Sequence, residues 1–162
     1  MNFGVLHMTD PIRALAEARR VLSSGGRLGF TVWSKPEECP AAKVMVAAIE
    51  KHGDLTVRLP EGPPKDLLAD EARCLQAFDV AGFAPASMSF DTRAADWIVE
   101  TPGFYFEAER DAGVRTAALL ACQTPERLAA IKAEVERGVA RFRWGNAYAL
   151  PMTAHIVTAS RD

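Results

Sequence analysis

The chain has 162 residues, of which 49% are hydrophobic and 25% charged, with a formal net charge of -2, a balance that fits one globular domain able to bury about 70% of its unfolded surface. That charge supplies no whole-chain attraction to nucleic acid or anionic lipid, and no apolar run approaches the ~20 residues needed to span a bilayer. Cys39, Cys74 and Cys122 are odd in number and widely spaced, with no CxxC pair, so they read as free thiols rather than a disulfide framework or zinc site, and a soluble, cytoplasmic protein is expected.

In chain order, Thr9 or Asp10 can cap a helix whose first turn holds Pro11, where a missing N–H costs nothing. Ile12, Leu15, Ala16, Ala18 and Leu22 are close to helical spacing, Arg19 and Arg20 suit the negative end of the helix dipole, and Gly25 can close the helix in a left-handed conformation. The pair Gly25 and Gly26 therefore follows a helix and precedes a strand. A phosphate-cradling loop requires the opposite order, strand, glycine, helix, because the anion sits on free N–H groups at a helix start. In the strand Arg27 to Trp33, Leu28, Phe30 and Val32 alternate with Gly29, Thr31 and Trp33, and neither set is charged. Such a strand is usually covered on both faces, as in the parallel sheet of an α/β protein.

The Pro-rich connector SKPEECP leads to a helix from about Ala41, apolar at Val44, Met45, Ala48 and Ile49 and ended by Gly53. LPEGPPKD, Leu59 to Asp66, reads as a loop. Asp70 or a neighbour starts the next helix, which buries Cys74, Leu75 and Phe78 and closes at Gly82. Ala84, Ala86, Met88 and Phe90 then alternate with polar neighbours and proline, predicting a half-buried strand at a sheet edge. Residues 92–146 are too long for a hairpin and predict a helical insert before the last strand. Its first part is rich in aromatics and broken at Pro102 and Gly103, with a helix through Leu119 and Leu120. Thr124 and Pro125 then start a helix on which Leu128, Ile131, Val135, Val139 and Phe142 keep helical spacing. The last strand carries Tyr148, Leu150, Met152, Ala154 and Ile156 on one face, with Pro151 limiting pairing near its start.

NFGVLHMTDPIRALAEARRVLSSGGRLGFTVWSKP, residues 2–36, resembles the middle of a class I S-adenosylmethionine-dependent methyltransferase of the ubiquinone and menaquinone biosynthesis type. In that family a fourth strand ends in a similar FG-L stretch before Asp and a helix, the helix ends in RVL-PGG, and a fifth strand follows. Ser23 and Ser24 stand where the family usually has Lys-Pro. FDVAGFAPASMSF, Phe78 to Phe90, resembles the passage into the sixth strand, and YALPMTAHIVTASR, Tyr148 to Arg161, resembles the seventh. The resemblance covers nearly the whole chain but only the C-terminal half of the family. It implies an α/β fold, a partial Rossmann-like methyltransferase sheet in a single domain over residues 1–162.

The same resemblance implies S-adenosylmethionine as cofactor and a small-molecule methyl acceptor, with no nucleic acid or membrane span. The family's Gly-rich turn after the first strand, and the acidic residue ending its second, do not occur in these residues, so an N-terminally truncated and inactive chain is expected. The alternative expectation is a non-catalytic remnant that binds a partner or forms a homodimer through the edge of the strand at Arg27 to Trp33. By resemblance, Asn2 and Phe3 belong to the cofactor side. Trp33, Trp97, Phe104, Tyr105 and Phe106 belong to the acceptor side, where aromatic rings stack on flat or apolar ligands, or else form the core of the helical layer.

Methyl transfer from a sulfonium asks the protein mainly to hold donor and acceptor in line, and sometimes to supply a base. His7, just past the fourth-strand stretch, is the candidate base, the alternative being a His that caps or packs in a loop. His52 and His155 carry no motif and read as structural or solvent-facing. EARR and EVERGVARFR interleave acids with arginines, the pattern of a solvated helix face rather than a nucleic-acid site.

Overall fold

A computed structural model of the chain describes residues 1–59, 61–64 and 67–162. The protein is mixed α/β: β1 (Arg27–Trp33), β4 (Ala147–Ser160) and β2 (Ser89–Val99) are hydrogen-bonded in the order β1-β4-β2, with the short β3 (Arg143–Trp144) also paired to β4. The loop expected over residues 59–66 includes Pro60, Lys65 and Asp66, which lie outside the described residues. The chain separates into two compact units, the first made of Met1–Lys35, Glu61–Ala94 and Thr153–Asp162, the second of Pro36–Pro60 and Ala95–Met152.

In the first unit, α1 (Pro11–Val21) starts as its sequence predicts: the Asp10 carboxylate accepts the Arg13 N–H at 2.9 Å, and Pro11 fills the first helical position. Its end differs from expectation. The helix stops at Val21 and leaves through an extended Leu22, while Gly25, at φ 74°, shapes the turn into β1. The physical reason is Arg161, whose guanidinium donates to the carbonyls of Arg19, Arg20 and Leu22 and so satisfies the helix end from across the fold. The next helix, α3 (Glu71–Val80), is capped by Asp70, which accepts the Arg73 N–H at 2.9 Å, and Gly82 follows it at φ 89°. Phe78, fully buried, stacks on Phe30 at 5.5 Å and meets Phe83 edge-on at 5.0 Å.

The β1 strand has the predicted bounds. It pairs antiparallel with β4 from Arg27 opposite Ser160 to Trp33 opposite Ala154, and Asn2 forms a parallel bridge with Thr31 on its other side. Thr31 donates its N–H to the Met1 carbonyl at 3.0 Å, so part of the edge expected to be open is occupied. Coverage of both β1 faces does not hold: Phe30 and Val32 are buried, whereas Trp33 is 49% exposed. The predicted strand over Ala84 to Phe90 is also corrected. Pro85–Ser87 form a single 3-10 turn in which the Ser87 N–H and hydroxyl both donate to the Ala84 carbonyl. Proline has no N–H for a ladder and fixes φ, so pairing begins only at Ser89 and runs to Val99.

In the second unit, Val44, Met45, Ala48 and Ile49 of α2 (Pro40–His52) share a core with Ile131, Val135 and Val139 of α6 (Pro125–Val139). Gly138 permits their close approach, since a Cβ there would collide with Val44. Pro102 starts a helix rather than breaking one: α4 (Pro102–Ala112) begins at it, and Gly113 separates α4 from α5 (Val114–Ala121). Thr124 accepts the Arg127 N–H at 3.4 Å as the α6 cap. The predicted run to Phe142 stops at Val139, after which Ala140–Phe142 form one 3-10 turn. A hairpin that the sequence pattern did not reveal follows, with Trp144 opposite Ala147 and Gly145, at φ 59°, first in its two-residue loop.

Candidate functional site

Four of the residues singled out in the sequence belong to the first unit. Thr31 organises two of them: its hydroxyl donates to the Asn2 side-chain oxygen and accepts the Phe3 N–H at 2.9 Å. The Phe3 ring stacks on Trp33 with centroids 4.1 Å apart and planes inclined by 20°. Among the described residues Phe3 is the one non-glycine with positive φ, 51°. That conformation costs about 1–2 kcal/mol for an L-residue, offset here by the Thr31 hydrogen bond and the stack. Asn2, Phe3, Thr31 and Trp33 thus form one contiguous group at β1. His7 ends a 3-10 turn, Val5–His7, anchored by the fully buried Val5, and its side chain is exposed.

The other aromatics belong to the second unit. Trp97, on β2, meets both Phe104 and Tyr105 edge-on, at 5.9 and 6.0 Å. Their burial separates them: Tyr105 and Phe106 lie in the core at 1% and 2% exposure, while Phe104 is 46% exposed. Burial, with the Glu109 carboxylate one helical turn further on, pushes the Tyr105 hydroxyl far above the ordinary tyrosine range. Glu109 is itself raised by burial, against a hydrogen bond with Thr116 that lowers it.

Sequence reasoning missed three features here. The Phe3 strain and the Thr31 bridge depend on strand pairing, for which the sequence carries no local signal. The third is Glu134, which accepts from Lys51 at 2.8 Å, His52 at 3.1 Å and Arg137 at 2.8 Å. Only its (i, i+3) relation to Arg137 was visible as sequence. These hydrogen bonds, Lys51 first, hold the Glu134 carboxyl down at about 2. Its folded value is depressed, so the associated stability is present above the unfolded carboxyl range near 4.5 and is lost as pH falls towards 2. Glu134→Gln is therefore expected to lower the melting temperature at neutral pH and to leave less further loss between pH 5 and about 2. Thermal unfolding across that range checks this, and identical pH curves for both proteins would refute it.

The remaining histidine, His155, is buried rather than solvent-facing, at 3% exposure. Its Nδ1 lies 3.0 Å from the Thr92 hydroxyl, and its ring packs at 4.5 Å from Phe90. Cys39 and Cys74 are buried and Cys122 exposed, all as free thiols, and burial pushes the Cys74 thiol up to about 12. Among the described residues there is no group of three His, Cys, Asp or Glu able to hold a metal ion, and no helix is long and apolar enough to cross a membrane.

No family model and no curated protein matches the chain. Among solved structures, it is similar to a candidate methyltransferase of Bacillus halodurans C-125, with 19% identity and a TM-score of 0.49 over 99% of this chain and 67% of that one. It is also similar to the YcgJ protein of Bacillus subtilis, with 14% identity and a TM-score of 0.41 over 99% of this chain and 62% of that one. The chain therefore spans about two thirds of the length of one and less than two thirds of the other.

Proposed function

We propose that the chain is the acceptor-side part of an S-adenosylmethionine-dependent methyltransferase acting on a small molecule. The observation that carries this reading is the arrangement of Asn2, α1 and β1, in which the stretch before the helix meets β1 at a single parallel bridge, Asn2 to Thr31, with Phe3 stacked on Trp33. Ligands of α/β sheets sit beyond the carboxyl ends of parallel strands. His7 follows the bridge in sequence, and Trp33 ends β1. In this reading Asn2 and Phe3 meet the donor, His7 takes a proton from the acceptor, and Trp33 serves the acceptor side. The donor's ribose and adenine need the Gly-rich turn and acidic residue that these 162 residues do not contain.

Calorimetric titration tests the division. The chain alone is expected to show no saturable binding of S-adenosylmethionine in the low micromolar range, about -8 kcal/mol. Joined to a donor-binding half that carries the Gly-rich turn, it is expected to bind the donor and to transfer a labelled methyl group to small molecules of a cell extract. Low-micromolar binding by the chain alone would overturn the division of labour, and donor binding without any transfer would overturn the enzymatic reading.

A further inference from the structure

The second unit contains a cleft of about 550 Å³ to which α2, α6 and the 3-10 turn after α6 all contribute, a volume within the range of small-molecule sites. Its lining shares no residue with the aromatic group at Trp97, Phe104 and Tyr105. Val44 and Phe142 give it apolar wall, and Lys43, Arg141, Glu37 and Glu134 give it charge.

Those charges do not cancel. Glu134 already accepts from Lys51, His52 and Arg137, so its negative charge is met from outside the cleft. Lys43 has no ion-pair partner among the described residues. Arg141 has its Nε engaged by the Gly138 carbonyl at 3.3 Å, which leaves the two terminal nitrogens of its guanidinium to donate. Against these two cations stands Glu37 alone. An apolar wall beside a surplus of unpaired positive charge suits a ligand with an anionic head and a hydrocarbon body, because the head gains charge-assisted hydrogen bonds while the body removes apolar surface from water.

We propose that this cleft binds a small amphiphilic carboxylate, its head between Lys43 and Arg141 and its tail on Val44 and Phe142. No step of methyl transfer enters the proposal, so it stands or falls separately from the reading above. The test titrates the full chain with octanoate, using octanol and acetate as controls, and follows Phe142 and the α2 amides by NMR. Saturable octanoate binding is expected, at least ten-fold tighter than either control. Lys43→Glu and Arg141→Glu should each weaken it ten-fold or more. Both side chains are exposed, and Lys43→Met and Arg141→Met provide variants without added repulsion, which should weaken binding several-fold. Glu37→Gln should tighten it by a factor of two or more.

Any of four results would overturn the assignment: no saturable octanoate binding, octanol binding as tightly as octanoate, charge reversal without effect, or weaker binding after Glu37→Gln. The last would point to a zwitterion instead.

Discussion

Tyr105→Ala is expected to destabilise the second unit by about 3–5 kcal/mol in urea unfolding, the cost of removing a large aromatic from a packed interior. Tyr105 is 1% exposed, shares a core with Ile131, Val135 and Leu150, and meets Trp97 edge-on. Helix α4 cannot collapse into the space left behind, because Pro102 fixes its start and Phe106 beside it is buried as well. Phe104→Ala should cost about 1 kcal/mol or less, since that ring is 46% exposed and loses mainly its contact with Trp97. The pair of variants separates a buried ring from an exposed one within one turn of helix, and Tyr105→Phe, which keeps the ring, should leave stability close to normal. A loss below about 1 kcal/mol for Tyr105→Ala would show that the ring is not the packing element its burial implies.

Local chemistry made much of this fold legible. Asp10, Asp70 and Thr124 cap the helices they were expected to cap, because an acceptor side chain three residues before an orphan N–H is a strictly local device. Apolar alternation set the bounds of β1 for the same reason. What the sequence hid depends on partners far along the chain. Arg161 ends α1 from 139 residues beyond Leu22, displacing the role expected of Gly25. Pro85 turned an alternating run into a 3-10 turn, where the steric rule outweighs the hydrophobic pattern. On β4 the burial changes parity: Leu150 belongs to the core of the second unit, and Val157 and Ala159 to that of the first. A single-face reading of Tyr148 to Ile156 could not anticipate that change, and of the two readings open for His155, structural or solvent-facing, its burial fits the first. At the candidate site, the residue types were visible in sequence, while the contact of Phe3 with Trp33 required the pairing of Asn2 with Thr31.

In a protein that joins this chain to a donor-binding half, His7→Ala is expected to lower turnover by roughly 100-fold while leaving S-adenosylmethionine binding nearly unchanged. The three histidines differ in what their rings already do. His52 is engaged by Glu134 in an ion cluster, and His155 is buried against Thr92 and Phe90. His7 alone presents an exposed ring with no hydrogen-bond partner among the described residues, on a turn held by the buried Val5. A base must reach the acceptor's proton within hydrogen-bond distance, directly or through one water, and of the three only His7 is free to do so. His52→Gln should instead affect stability through Glu134 and leave turnover within a few-fold. His7→Gln keeps a hydrogen-bonding side chain but cannot take up a proton at neutral pH, so it should be nearly as slow as His7→Ala if proton removal is the role. Recovery of most of the activity by His7→Gln would mean that the ring only orients the acceptor. A His7→Ala protein with unchanged turnover would remove His7 from the reaction altogether.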